Sequence, residues 1–365
     1  MTALLQTQIS NTTGHITLDR PKALNSLSLA MVRDLTQTLL DWRDNAAVHA
    51  VVIRGSSEKA FCAGGDIRFF HQAGVSTPQG GSAALEDFFT EEYALNHLIH
   101  FYPKPWIAVM DGIVMGGGMG LAQSGPKNRL RIVTERTKMA MPEVNIGLFP
   151  DVGGSYFLSR TAAQLGTYLG VSGEMIGAAD ALHAGLADLF VPASALPGLL
   201  ALIDEFSGSD LRAAIRSYAA PFAGECDPTG GRLAQNRSAI ERHFQFDTVA
   251  QITDSLVSDG CAFAQATLAA MQKRSPLMMA VTLRQLRSGA GLDLAGCLRM
   301  ERTMVRHAFT QGEVIEGIRA VVIDKDNQPR WQPAELAQVT DAMVDGYFAP
   351  VWPDHAHPLR DLVDQ

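Results

Sequence analysis

A chain of 365 residues, 47% hydrophobic and 19% charged, has the composition of an ordinary globular protein and length enough for one large or two moderate domains. Its 30 lysines and arginines stand against 38 aspartates and glutamates, a net charge of −8 that argues against a phosphate-backbone binder, so no nucleic-acid partner is expected. Four cysteines, Cys62, Cys226, Cys261 and Cys297, form no CxxC pair and suit free thiols in a reducing compartment.

The first twenty residues carry neither a charged start with an apolar run nor an arginine-rich leader, and no apolar stretch is long enough to span a bilayer. The expectation is a soluble, cytoplasmic protein with no membrane partner. Gly14–Leu18 reads as a short strand. Val32, Leu35, Leu39 and Trp42 recur at spacings of 3, 4 and 3, which predicts an amphipathic helix opened by Ser26 and Ser28. His49–Arg54, Trp106–Met110 and Arg129–Val133 read as buried strands, the first closed by Gly55 and the second by Asp111 and Gly112. Strands separated by helical stretches predict crossover connections and parallel pairing, hence an α/β fold. Beyond about residue 205 the texture changes: Val249–Val257, Ala262–Gln272, Pro276–Leu286 and Leu292–Phe309 read as successive helices. The expected organisation is a core over 1–205 and a helical region over 206–365.

Several catalytic devices are missing from the chain: GxxxxGK[ST], HExxH, GxSxG and GxGxxG do not occur. What remains are three glycine-marked turns, each following a predicted strand. They are Phe61-Cys62-Ala63-Gly64-Gly65-Asp66-Ile67, then Asp111-Gly112 through Gly116-Gly117-Gly118, then Met141-Pro142-Glu143 through Asp151-Val152-Gly153-Gly154. Glycine lets backbone amides approach a ligand, and helix starts leave N–H groups without partners. Amides of Gly65 and Gly117 converging on one carbonyl oxygen would make an oxyanion hole. One such turn is most simply a place where a helix packs on a sheet; three in this order weigh toward a site.

The order of these turns, with the early Asp19-Arg20-Pro21-Lys22-Ala23-Leu24-Asn25, resembles the crotonase (enoyl-CoA hydratase/isomerase) superfamily. The resemblance implies a crotonase-like spiral of ββα units, followed here by a helical C-terminal region, that binds an acyl-CoA thioester. It puts the thioester carbonyl between Gly65 and Gly117, and the ADP end of CoA near Lys22, Ala23, Leu24, Ala63, Asp66 and Ile67. Hydratases of the superfamily carry two glutamates; the first position is Gly120 here, and the second is Glu143. Hydration needs one group to activate water and another to move the α-proton, so the missing glutamate weakens a hydratase reading. Asp151 supplies a different second carboxylate.

That substitution, with Glu91-Glu92-Tyr93, Gly147-Leu148-Phe149-Pro150-Asp151 and the tail Lys325–Pro333, resembles the 3-hydroxyisobutyryl-CoA hydrolase branch, thioesterases of valine breakdown. The resemblance implies a substrate site of Glu92, Gly117, Glu143 and Asp151, with Glu143 and Asp151 catalytic. CoA is then part of the substrate, and no metal or redox cofactor is implied. Superfamily members assemble as trimers or hexamers, so a homo-oligomer is in prospect, although a helical extension can occupy that interface. Simpler readings stand beside these. Glu143 can be a first-turn helix residue and Asp151 an N-cap. Glu92 sits in a charged stretch with Glu86, Asp87 and Glu91, where a solvated face is the default. Asp151 is expected to be partly exposed to a CoA channel. Rival functions are an enoyl-CoA hydratase/isomerase and a non-catalytic acyl-CoA-binding protein.

Overall fold

Thr13–Leu18 is buried along its whole length, as a strand covered on both faces must be. It is β2 of a computed structural model that describes residues 4–77, 81–123, 125 and 128–364. The chain divides into two compact units that interleave along the sequence.

The first unit comprises Met1–Gly65, Leu95–Met139 and Ile176–Gln235. Its main sheet joins β1 (Leu5–Ser10), β2, β3 (Ala50–Gly55), β5 (Trp106–Met110), β7 (Arg129–Val133) and β9 (Leu189–Phe190), in that order. β4 (Ala60–Cys62), β6 (Ile113–Met115) and β8 (Lys138–Ala140) make a second, three-stranded sheet. Every pairing from β2 to β9 in the main sheet is parallel, as the alternating pattern requires. β1, absent from the sequence reading, adds antiparallel to β2 at the edge; its Gln6-Thr7-Gln8 centre is exposed and lacks the apolar signal of a covered strand. Helix α1 (Leu29–Arg43) follows the predicted spacing: Val32, Leu35, Leu39 and Trp42 are all buried, and Ser28 caps the helix by accepting from the Met31 amide. One face of the main sheet, through Val52, Ile107, Val109, Leu130 and Ile132, packs with Leu199, Ile203, Leu211 and Ile215. Helices on either side of residue 205 therefore cover this sheet.

The second unit comprises Asp66–Ala94, Ala140–Met175 and Asn236–Gln365. It holds α2 (Ile67–Ser76), most of α3 (Ala83–His100), the single-turn α4 (Gly154–Phe157), and a run of longer helices. The four predicted helices are present as Val249–Asp259, Ala262–Met271, Pro276–Gly289 and Leu294–Gln311. Thr248, Cys261, Ser275 and Asp293 cap them by accepting from backbone amides of the first turn. Phe70, Phe88, Phe89 and Phe309 interlock at the centre of this unit with ring centroids 4.9–6.2 Å apart.

Candidate active site

In the first unit the first two glycine turns meet. β4 runs into Ala63-Gly64-Gly65, and β6 runs into Gly116 and the short helix that starts at Gly117. Gly64 has φ +94°, and a Cβ there would lie 3.1 Å from Met115 O and 3.4 Å from Gly117 N. At Gly118 a Cβ would lie 2.3 Å from Cys62 O, so only glycine fits. Gly117 is the first residue of its helix, where an amide has no intrahelical acceptor. Gly120, where hydratases carry a glutamate, is buried in the same helix.

The Lys22-Ala23-Leu24 segment is a tight 3-10 turn pinned in this unit. Leu24 O accepts from the Ala63 amide at 3.0 Å, and buried Asn25 donates to Ala60 O at 2.8 Å while accepting from the Arg20 amide at 2.9 Å. Lys22, Ala23 and Leu24 thus stand beside Ala63. Asp66 opens α2 in the second unit, accepting from the Phe69 amide at 3.2 Å, with Ile67 the first helical residue.

The second unit gathers the carboxyl groups. Glu143 begins a 3-10 turn that closes on Gly147, whose φ of +70° suits glycine; Gly147 N–H and Leu148 N–H both return to Glu143 O. Asp151 follows, and its Oδ2 accepts from the Tyr93 hydroxyl at 2.7 Å. Two expectations change here. Glu92 is 2% exposed rather than solvated, because it lies three and four residues after Phe89 and Phe88 on the buried face of α3. Asp151 is 5% exposed rather than open to a channel, and it caps no helix; the N-cap of α4 is Gly153. Glu143 Oε2 and Glu92 Oε1 are buried without a hydrogen-bond partner among the described residues.

Burial dominates the electrostatics. It pushes Glu92 and Glu143 well above the usual carboxyl range, and the charge of Asp151 adds to both. Asp151 itself rises to about 6 by burial, held back by the Tyr93 hydrogen bond. Proton release from such a cluster belongs to the group rather than to one residue. Tyr93→Phe removes a hydroxyl that favours ionised Asp151, so the acid limb of the pH–rate profile should move upward, toward neutrality. An unmoved limb would separate Tyr93 from the chemistry.

A fourth carboxyl was not found from sequence. Glu301, fully buried on Leu294–Gln311, accepts from Gly153 N–H at 2.8 Å and Ser155 N–H at 2.9 Å, and pairs with the Ser155 hydroxyl. Burial raises it to about 8 against those hydrogen bonds. Its only sequence signal was a glutamate amid the apolar positions of an amphipathic helix. Tyr93 belongs to the Glu91-Glu92-Tyr93 segment, but nothing in its spacing assigns the hydroxyl a role. Among the described residues no group of three or more His, Cys, Asp and Glu could hold a metal ion.

Raised carboxyls set the sign of a stability–pH dependence. A carboxyl with a raised folded pKa contributes stability below its unfolded value, and that contribution drains away as pH rises to the folded value. For Glu301 the interval runs from about 4.5 to about 8. His15, His243 and His357 are lowered by burial and act oppositely, but only below about 6.5. Between pH 6.5 and 8 stability should therefore fall, by roughly 1–2 kcal/mol. Urea midpoints at the two pH values measure it; a level or rising midpoint contradicts buried, protonated Glu301.

Glycine turns of this order on a parallel spiral, with buried acids within the third, define an acyl-CoA-handling fold class, and the chain belongs to the enoyl-CoA hydratase/isomerase family, whose model matches residues 13–348. Within it, the chain is 40% identical over 339 residues to the mitochondrial 3-hydroxyisobutyryl-CoA hydrolase of Xenopus laevis, covering 92% of this chain and 86% of that protein. The human protein of the same name is 37% identical over 339 residues, with the same coverage. The resemblance to this branch read from the sequence therefore holds. Among solved structures, a carnitinyl-CoA dehydratase from Mycobacterium thermoresistibile superposes with TM-score 0.87 at 37% identity, covering 96% of this chain and 97% of that one. An enoyl-CoA hydratase from Rhodobacter sphaeroides gives 0.82 at 35%, covering 96% and 98%. These establish the crotonase fold with its helical C-terminal region.

The expected cytoplasmic location is corrected by the same relatives, which are named as mitochondrial and point away from the cytoplasm. A cellular address is read by receptors from short segments, so the composition of a folded core carries no trace of it.

Proposed function

We propose that this chain hydrolyses the thioester of 3-hydroxyisobutyryl-CoA, or of a close short 3-hydroxyacyl-CoA, to the 3-hydroxy acid and free CoA. The observation that carries the reading is the buried carboxyl group of Glu143, with an orphaned oxygen, sharing its surroundings with Asp151 while Gly120 vacates the second hydratase position. The names of the curated relatives supply the substrate.

In this reading the thioester oxygen accepts from the amides of Gly65 and Gly117 as it gains charge. Glu143 takes a proton from water, and the water oxygen bonds to the carbonyl carbon. The tetrahedral intermediate then collapses with loss of the C–S bond, and the proton passes to the departing thiolate with the help of Asp151. A second route has the Glu143 carboxylate attack first, expelling CoA and leaving a mixed anhydride that water opens. Both consume one water, and neither calls on a metal or redox cofactor. Single turnover in ¹⁸O-water tests the second route, because label in Glu143 arises only when water opens the anhydride at the Glu143 carbonyl and never from direct attack of water on the thioester. Glu92 and Gly117 complete the substrate site; Lys22, Ala23, Leu24, Ala63, Asp66 and Ile67 hold CoA. The reaction belongs to valine breakdown, and the assembly is a homo-oligomer, which light scattering checks.

The descriptions of the two solved structures favour a second reading, dehydration or hydration of an acyl-CoA. Gly120 stands against it, since syn addition of water needs a second positioned base. Thiol should appear with 3-hydroxyisobutyryl-CoA, while crotonyl-CoA should keep its enoyl-thioester absorbance. Rapid hydration of crotonyl-CoA without thiol release would replace the hydrolase by the rival, and inertness toward both would favour a binding protein.

A further inference from the structure

The segment that carries Asp151 is strained and is held from far away in sequence. Val152 has φ +53°, a left-handed conformation that a β-branched residue rarely adopts, and Gly153 continues it at +86°. The start of α4 brings no capping side chain of its own, because its N-cap is Gly153. The acceptor comes instead from Glu301, nearly 150 residues later: one carboxyl oxygen takes Gly153 N–H at 2.8 Å, and the other takes Ser155 N–H at 2.9 Å and meets the Ser155 hydroxyl. Asp151 O accepts from Gly154 N–H at 2.7 Å, so the clamped amides and the acid belong to one tight turn. At its other end the Asp151 carboxyl is tied to Tyr93.

We propose that Glu301 is a positioning residue: by holding the left-handed Val152–Gly153 turn it fixes where the Asp151 carboxyl stands for thioester cleavage. The inference rests on the reading of Asp151 as part of the hydrolytic pair. The geometry asks for a carboxyl in particular. Backbone amides press on both of its oxygens, whereas a glutamine offers one acceptor and turns an N–H₂ toward the other amide. Losing one side of the clamp frees the turn to relax away from positive φ at Val152 and carries the Asp151 side chain with it. Displacements of about 1 Å at a reacting group can cost on the order of 10²-fold in rate.

The test is a cycle on the full chain with 3-hydroxyisobutyryl-CoA: unsubstituted protein, Glu301→Gln, Asp151→Asn, and the double variant, with kcat and KM measured separately. Glu301→Gln should lower kcat by about 10-fold or more with KM within about 2-fold. In the Asp151→Asn background the same change should cost less than about 2-fold, since the group it positions is already disabled. If Glu301→Gln fails to fold, Ser155→Ala, which removes one contact only, enters the cycle in its place with an expected kcat loss of about 3-fold that vanishes in the Asp151→Asn background. An unchanged kcat, or equal losses in both backgrounds, would reduce Glu301 to a helix cap and overturn the inference alone. Normal turnover by Asp151→Asn would overturn the hydrolytic reading together with it.

Discussion

Kinetics should rank 3-hydroxyisobutyryl-CoA and 3-hydroxypropionyl-CoA above isobutyryl-CoA and propionyl-CoA by about 10³-fold in kcat/KM. The argument starts from desolvation. A site that hydrogen-bonds a substrate hydroxyl leaves its own buried polar groups unpaired when that hydroxyl is missing, and such sites reject the deoxy analogue by up to about 10⁴–10⁵. A partly exposed Asp151 would be rescued by water, and only about 10²-fold discrimination would be expected. The structure buries Asp151 to 5% exposure and buries oxygens of Glu92 and Glu143 that have no hydrogen-bond partner among the described residues, so water is a poorer substitute and the expectation rises. Asp151→Ala should narrow the gap as well as slowing turnover. Equal kcat/KM for isobutyryl-CoA and its 3-hydroxy form would show that these carboxyls do not read the hydroxyl, and a broad thioesterase would take the place of the named substrate.

Glu143→Gln should reduce turnover by at least ~10²-fold, the ordinary scale of general acid–base catalysis. Glutamine keeps the volume and one acceptor but can neither hold a proton from water nor attack a thioester. Burial and the Asp151 charge both disfavour ionised Glu143 in the free protein, so the substitution should leave the fold intact or somewhat more stable. That combination distinguishes the chemistry from the scaffold: a loss of turnover with a raised or unchanged unfolding midpoint is the expected signature. Near-normal turnover from a folded Glu143→Gln protein would remove Glu143 from the reaction under either route.

Where a residue's role follows from its neighbours in the chain, it could be read early. The spacing of Val32, Leu35, Leu39 and Trp42 admits little but a helix packed along one face, and the parallel strands at 50–55, 106–110 and 129–133 needed only their apolar runs and the helices between them. Gly64 belongs to this class because its positive φ is a demand of the local path, whereas the 2.3 Å approach that keeps position 118 a glycine comes from Cys62, on a different strand. Glu143 and Asp151 are marked as candidates by their place in ordered motifs.

The chain alone determined the α/β alternation, the helical run after 205, the glycine turns and the family they mark, since each rests on periodicity or on backbone conformation a few residues long. Only the tertiary structure decided which charges are buried. Glu92 lies in an acidic stretch that reads as solvated, yet the packing of α3 puts it among Phe88, Phe89 and their neighbours. Tyr93 and Glu301 meet the Asp151–Ser155 turn from 58 and about 150 residues away, and no local pattern specifies such a contact. The reason is physical: helix and strand patterns follow from nearest-neighbour sterics and one-sided burial, whereas a carboxyl's pKa and partners depend on desolvation by whatever the folded chain lays against it.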